Sequence, residues 1–129
     1  RLAALEEKGV SGIAQALPDR LLSKFALPDH RQAVTDNALK LNDKGYMQAV
    51  ELLCGDDIYS YANAFSSNTR VYCGDADIVT PPAQSAEFAT RLGFPFELIE
   101  KAGHASYIEQ PQQIAKLIEQ AMLSVRGVK

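Results

Sequence analysis

Residues 69–107 leave this chain little choice of architecture. They read Thr-Arg-Val-Tyr-Cys-Gly-Asp-Ala-Asp-Ile-Val-Thr-Pro-Pro, then an amphipathic run, then Phe-Glu-Leu-Ile-Glu-Lys-Ala-Gly-His-Ala-Ser-Tyr. Val71, Tyr72 and Cys73 form a short apolar run suited to a buried strand, and Gly74 breaks it. Thr80 is a good helix N-cap, with Pro81 and Pro82 in a first turn that has no need of their missing N–H groups. Ala86, Ala89 and Leu92 recur at helical spacing with Phe88 alongside, and Gly93 sits where a helix takes a left-handed terminator. Residues 96–99 then read as a second strand. A strand, a crossover helix and a strand of this length make a right-handed parallel unit, with strands about 4.8 Å apart. Their C-terminal ends therefore lie side by side.

Those ends carry Asp77 and His104. A carboxylate on one loop can accept from the ring N–H of an imidazole on the next, which fixes the tautomer and supports the imidazolium. Asp75 competes for the acid role, but the Gly-x-x-Asp spacing favours Asp77 and leaves Asp75 to cap the loop backbone or face solvent. Asp75-Ala76-Asp77 is also a DxD pattern of the kind that holds a divalent ion in nucleotide-sugar transferases, a competing enzyme class.

Gly74-Asp75-Ala76-Asp77-Ile78-Val79-Thr80-Pro81 followed by Gly103-His104 resembles the end of an α/β-hydrolase. In that family the order is nucleophile, acid, histidine, with the acid after the penultimate core strand and the histidine after the last. The resemblance implies that Asp77 is the acid and His104 the base. It covers both halves of the chain: residues 1–66 resemble the later part of the helical lid, and residues 67–129 the C-terminal part of the core. The stretch from Gly45-Tyr46 to Asp57 is similar to that of enol-lactone hydrolases and related esterases and lactonases. The implied fold is α/β, a lid segment followed by a parallel β-α-β unit and a C-terminal helix. The implied substrate is a small acyl compound, with no cofactor and no metal.

A nucleophile elbow needs Gly-x-Ser-x-Gly, because its serine sits on a strained strand-to-helix turn. None is present. Gly9-Val10-Ser11-Gly12 has the wrong glycine spacing and no strand before it, so Ser11 reads as a helix cap; Ser106 follows His104 too closely to be its nucleophile. The nucleophile and the oxyanion-hole loop are therefore expected in sequence outside this chain, which begins in mid-helix at Arg1 and looks cut. By itself it is expected not to turn over substrate. The alternative is a non-catalytic ligand-binding or interaction protein of the same fold.

The 129 residues are 47% apolar, enough to bury a core. The net charge of −3 comes without a basic block, which argues against nucleic acid and anionic membrane surfaces. No apolar run approaches a membrane span and no signal-peptide pattern opens the chain, so a soluble cytoplasmic protein is expected. Cys54 and Cys73 read as small core residues rather than a disulfide or metal pair.

Before residue 69 the pattern is helical. Leu2 and Leu5 form a short apolar face ended by Gly9, residues 12–17 follow Ser11, and Pro18 stops them. Residues 19–25 form another short helix, and residues 28–41 a longer one with Val34, Ala38 and Leu41 on one face. After a turn at residues 42–45, Tyr46, Ala49, Val50, Leu53 and Cys54 trace a helical stripe. Residues 58–68 are a weakly helical link. A last helix starts at Pro111 with Ile114, Leu117, Ile118, Ala121, Met122 and Val125 on one stripe, packed on the sheet. Phe25, Leu27, Tyr46 and Tyr59 are candidate pocket-lining residues. His30 reads as a first-turn helix residue, Met47 and Met122 as core filling. The inner edge of residues 70–73 is left unpaired, and an apolar open edge invites self-association or segment exchange.

Overall fold

The computed structural model describes residues 2–125, with side chains for residues 7–124. The expected apolar face of Leu2 and Leu5, the Val125 end of the last stripe, and the uncapped Arg1 lie outside what is described.

Four helices come first: α1 (Leu2–Ala14), α2 (Leu17–Leu21), α3 (Pro28–Ala38) and α4 (Asp43–Gly55). A 3-10 helix (Ile58–Ala64) leads into β1 (Val71–Gly74), α5 (Pro82–Leu92) and β2 (Phe96–Ile99); α6 (Ser106–Glu109) and α7 (Pro111–Val125) follow. The two strands pair in parallel, Val71 opposite Phe96 through Gly74 opposite Ile99. The β-α-β unit read from the sequence is present, with Gly93 left-handed at φ 71° where it ends α5.

The helical half departs from expectation at its boundaries. Ser11 starts no helix but lies inside α1: Gly9 (φ 63°, ψ 179°) kinks that helix, and the Val10 N–H freed by the kink donates to Asp43 Oδ1 of α4 at 2.7 Å. Pro18 does not stop a helix but opens one, lying in the first turn of α2, where a missing N–H costs nothing. That helix ends at Leu21 rather than Phe25, because Leu22 turns to extended backbone (φ −111°, ψ 154°). Asn42 is an N-cap, its side chain accepting from Gly45 N at 2.7 Å. His30 is the bland helix residue expected, its Nδ1 accepting from Leu27 N.

Two buried clusters hold the molecule. Ala14, Leu17, Leu22, Val34 and Ala38 of the helical half close over Ala105, with Ile108 packed against them. Ile99, Ala102 and Leu117 form the second, joined by Tyr72 and Ile114, so α7 does lie on the sheet. Burying an aliphatic side chain of this size stabilises by about 1.5–3 kcal/mol. A third contact is aromatic: Phe65, Phe88 and Phe94 meet edge-on or tilted at 5.7–6.3 Å, Tyr59 lies 5.6 Å from Phe88, and the Arg91 guanidinium covers the Tyr59 ring.

Several apolar stripes are not buried. On α4 only Val50 is buried and Tyr46 and Met47 are half-buried, while Leu53 is 70% exposed and Cys54 is exposed, so Cys54 is not a core residue. The reason is geometric: α4 packs against α1, and nothing among the described residues covers Leu53 and Cys54 at its far end. Leu41 and Ile118, expected on apolar helix faces, are likewise exposed, and Met122 is exposed rather than core filling. Cys73 is buried as expected. No helix among the described residues is long and apolar enough to cross a membrane.

Candidate functional site

The site is built where the loops after β1 and β2 meet, and two glycines let them meet. A Cβ on Gly74 would stand 2.3 Å from Gly103 O and 2.4 Å from Ala102 O, closer than any real side chain is found. A Cβ on Gly103 would stand 2.7 Å from Leu21 O and 2.8 Å from Ser23 N. Only glycine permits three stretches of backbone to approach this closely. The loops are then laced together: Asp75 N donates to Ile99 O, Ala76 N to Ala102 O, and Ala102 N to Asp75 Oδ1 at 3.2 Å. Asp75 thus ties the loop backbone.

Asp77 lies inward, its side chain 5% exposed. Oδ1 accepts from Val79 N at 2.8 Å and Thr80 N at 3.0 Å; Oδ2 accepts from the Thr80 hydroxyl at 2.8 Å. His104 Nδ1 stands 2.9 Å from Oδ2. A carboxylate accepts and does not donate, so Nδ1 carries the ring proton and the lone pair resides on Nε2. Thr80 Oγ1, having spent its proton on Asp77, offers its oxygen to Nδ1 at 3.3 Å. His104 is 39% exposed, and Nε2 has no hydrogen-bond partner among the described residues.

Burial pushes the Asp77 carboxyl up, but the His104 ring N–H, the Thr80 backbone and hydroxyl, and the Val79 backbone outweigh it and hold it below the usual carboxylate range. Asp77 is therefore a carboxylate at neutral pH, and an imidazolium forming on His104 would find its counter-charge in place. Behind it, burial pushes the Cys73 thiol up despite a hydrogen bond with Ser85, and the Asp77 charge adds to the effect. Cys73 Sγ donates weakly toward Thr80 O and Gly74 O, a packing role.

Both candidate site residues are thus brought together at one rim of the sheet. Thr80 is the residue the sequence reading misplaced. It is not the N-cap of α5: that position is Pro81, whose carbonyl accepts from Gln84 N and Ser85 N, while Thr80 turns its hydroxyl to the stronger acceptor, the Asp77 carboxylate. The Asp-x-x-Thr spacing carried that signal. Glu109 carries no motif in the sequence, yet it is buried beside the His104 loop and accepts from Gly103 N. A lone acidic residue five positions after the histidine gives no sign of burial in sequence.

The candidate lining residues separate. Tyr46 lines a cavity of about 220 Å³ with Leu17, Leu21, Val34, Ala38 and Ala105, the last adjacent to His104. Tyr59 lines a wider cleft of about 540 Å³ with Val71, Thr80 and Phe88. Phe25 and Leu27 are exposed and line neither. Among the described residues no group of three or more His, Cys, Asp or Glu side chains is placed to hold a metal ion.

No protein-family model matches the chain, and no curated protein matches it. Among solved structures it is similar to a thermophilic esterase from Thermogutta terrifontis, a malate-bound form, with a TM-score of 0.81 over 95% of this chain at 23% identity. The chain spans 47% of the length of that esterase, and its fold is part of an esterase fold.

Proposed function

We propose that the chain is the C-terminal part of an α/β-hydrolase-fold enzyme that cleaves an ester, lactone or similar small acyl bond. In this reading residues 1–66 belong to the lid and residues 67–129 to the core. His104 is the general base, Asp77 its orienting acid, and the nucleophile comes from a residue outside these 129. The observation that carries the reading is the 2.9 Å contact between Asp77 Oδ2 and His104 Nδ1, made across loops that follow two neighbouring parallel strands.

The chemistry runs through Nε2. It takes the proton from the nucleophile hydroxyl as that oxygen attacks the acyl carbon, and the imidazolium so formed is balanced by Asp77. The same proton passes to the departing alkoxide when the tetrahedral intermediate collapses to an acyl-enzyme. Water then enters, gives a proton to Nε2 and attacks the acyl carbon, and the proton returns to the nucleophile as the acid leaves. The apolar cavity of about 220 Å³ beside Ala105 suits a short acyl or ring moiety.

The test uses the longer protein containing this chain, assayed with p-nitrophenyl acetate and butyrate. Asp77→Asn is expected to lower kcat by about 10⁴, as loss of the orienting acid does in serine hydrolases of other folds, and His104→Gln by about 10⁶. Near-normal turnover in Asp77→Asn refutes the assignment. A fluorophosphonate probe should label a residue outside the 129, and the chain alone should hydrolyse neither ester. Labelling without turnover of any acyl ester would favour a ligand-binding protein instead.

Self-association belongs to the same reading. Each strand of the two-stranded sheet has one edge without a partner strand among the described residues, and Leu98 of β2 is exposed. Concentration-dependent association of the isolated chain is expected in light scattering, and a monomer at every concentration counts against it.

A further inference from the structure

We propose that Glu109 is a positioning residue for His104, acting through the backbone of the residue before it. The proposal rests on the reading of His104 as the base. Glu109 is 7% exposed and, among the described residues, forms no ion pair with a lysine, arginine or histidine. Its carboxylate is satisfied by three donors instead. Oε2 accepts from Gly103 N at 2.7 Å, Ser23 N reaches both oxygens at 3.0 and 3.1 Å, and the Ser23 hydroxyl donates to Oε1 at 2.5 Å.

The placement matters because of what flanks His104. On one side Gly103 N is held by Glu109; on the other, Ala105 N donates to Leu21 O at 2.9 Å. Gly103 is also pressed against the backbone of residues 21–23. The peptide that carries the imidazole is thus anchored at both ends to the turn after α2, and Glu109 joins that turn to it. The loop is further constrained at Lys101, a non-glycine residue at φ 56° whose carbonyl lies 3.3 Å from both the Ser23 hydroxyl and the Gln110 side-chain amide. A buried carboxylate serving two main-chain N–H groups from segments about 80 residues apart fixes their relation more tightly than apolar packing, which tolerates sliding.

Substituting Glu109→Gln keeps the shape but removes the charge and leaves one acceptor oxygen where there were two, so the Gly103 and Ser23 N–H groups must share a single neutral oxygen or one of them loses its acceptor. The experiment is nuclear magnetic resonance on the 129-residue chain. The His104 tautomer ratio is read by ring ¹⁵N correlation, the Gly103 amide by hydrogen exchange, and retention of the fold by circular dichroism. In the unsubstituted chain the Nδ1–H tautomer should dominate, and Asp77→Asn should abolish that dominance. In Glu109→Gln the Gly103 amide should exchange about fivefold faster, the factor for a charge-assisted hydrogen bond becoming a neutral one, and the Nδ1–H fraction should fall with it. Ser23→Ala removes the hydroxyl alone and should shift both readouts less, in the same direction. A folded Glu109→Gln whose His104 tautomer ratio is unchanged overturns the proposal, leaving Glu109 a mere staple. Should Glu109→Gln not fold, an unchanged ratio in Ser23→Ala overturns it. Absence of the Nδ1–H tautomer in the unsubstituted chain would instead sink the acid–base reading, and this proposal with it.

Discussion

Substituting Gly74→Ala tests the step on which the site depends, the close approach of the two strand-end loops. The added methyl would lie 2.3 and 2.4 Å from the carbonyl oxygens of Gly103 and Ala102 and 2.8 Å from the Ala102 carbonyl carbon, where ordinary contact begins at 3.4 Å. None of these atoms belongs to a side chain that could swing away. The loop carrying His104 must therefore retreat by about 1 Å, at an overpacking cost of about 3 kcal/mol, the upper end of the usual range because main chain has to move. For a domain of this size that corresponds to a fall in Tm of about 12 °C. The same displacement would stretch the 2.9 Å contact between Asp77 and His104 beyond hydrogen-bonding reach, so the Nδ1–H tautomer should be lost along with the stability. Gly55→Ala is the matched control. Its Cβ would meet nothing within 4 Å at the end of α4, and the change should be neutral or stabilise by up to about 1 kcal/mol. Thermal unfolding with ring ¹⁵N spectra decides: a Gly74→Ala variant melting within about 3 °C of the parent, its histidine tautomer intact, would refute the reasoning.

Other expectations follow from the same geometry. The Asp77 carboxyl is held below its ordinary 3.8 in the folded chain, so the stability it contributes is complete above that value and is lost as pH falls through the lower, folded one. Asp77→Asn should therefore lose less stability than the parent between about pH 5 and the acid limit of folding, and urea unfolding at several pH values measures this. Thr80→Val removes the hydroxyl donor at 2.8 Å and should cost about 1 kcal/mol, modest because Thr80 is exposed and water can replace it. It should also move the Asp77 carboxyl up toward its ordinary range, checked by carbon-detected titration. A thiol reagent should modify Cys54 quickly in the native chain and Cys73 only after denaturation, since Cys54 is exposed while Cys73 is buried with its thiol pushed up. Rapid modification of both would contradict the packing of β1.

Much of this protein is legible without coordinates where the information is local or periodic. The short apolar run before Gly74, the spacing of Ala86, Ala89 and Leu92, and the glycine at 93 specify a strand, a helix and its end within a few residues of themselves. Because a helical crossover returns the chain parallel to the first strand, they also bring the loops of Asp77 and His104 to the same rim. What is not local was decided by the tertiary structure. The stripe on α4 has the helical period, but which of its residues are buried depends on what lies opposite, and α1 covers little beyond Val50. Thr80 has the chemistry of an N-cap and is placed before a helix, yet a buried carboxylate three residues earlier is the stronger acceptor and takes its hydroxyl. Ser23 and Glu109 stand 86 positions apart, and neither residue type foretells burial. Only the folded chain, by bringing the turn after α2 against Gly103, gives that carboxylate its donors and removes it from water.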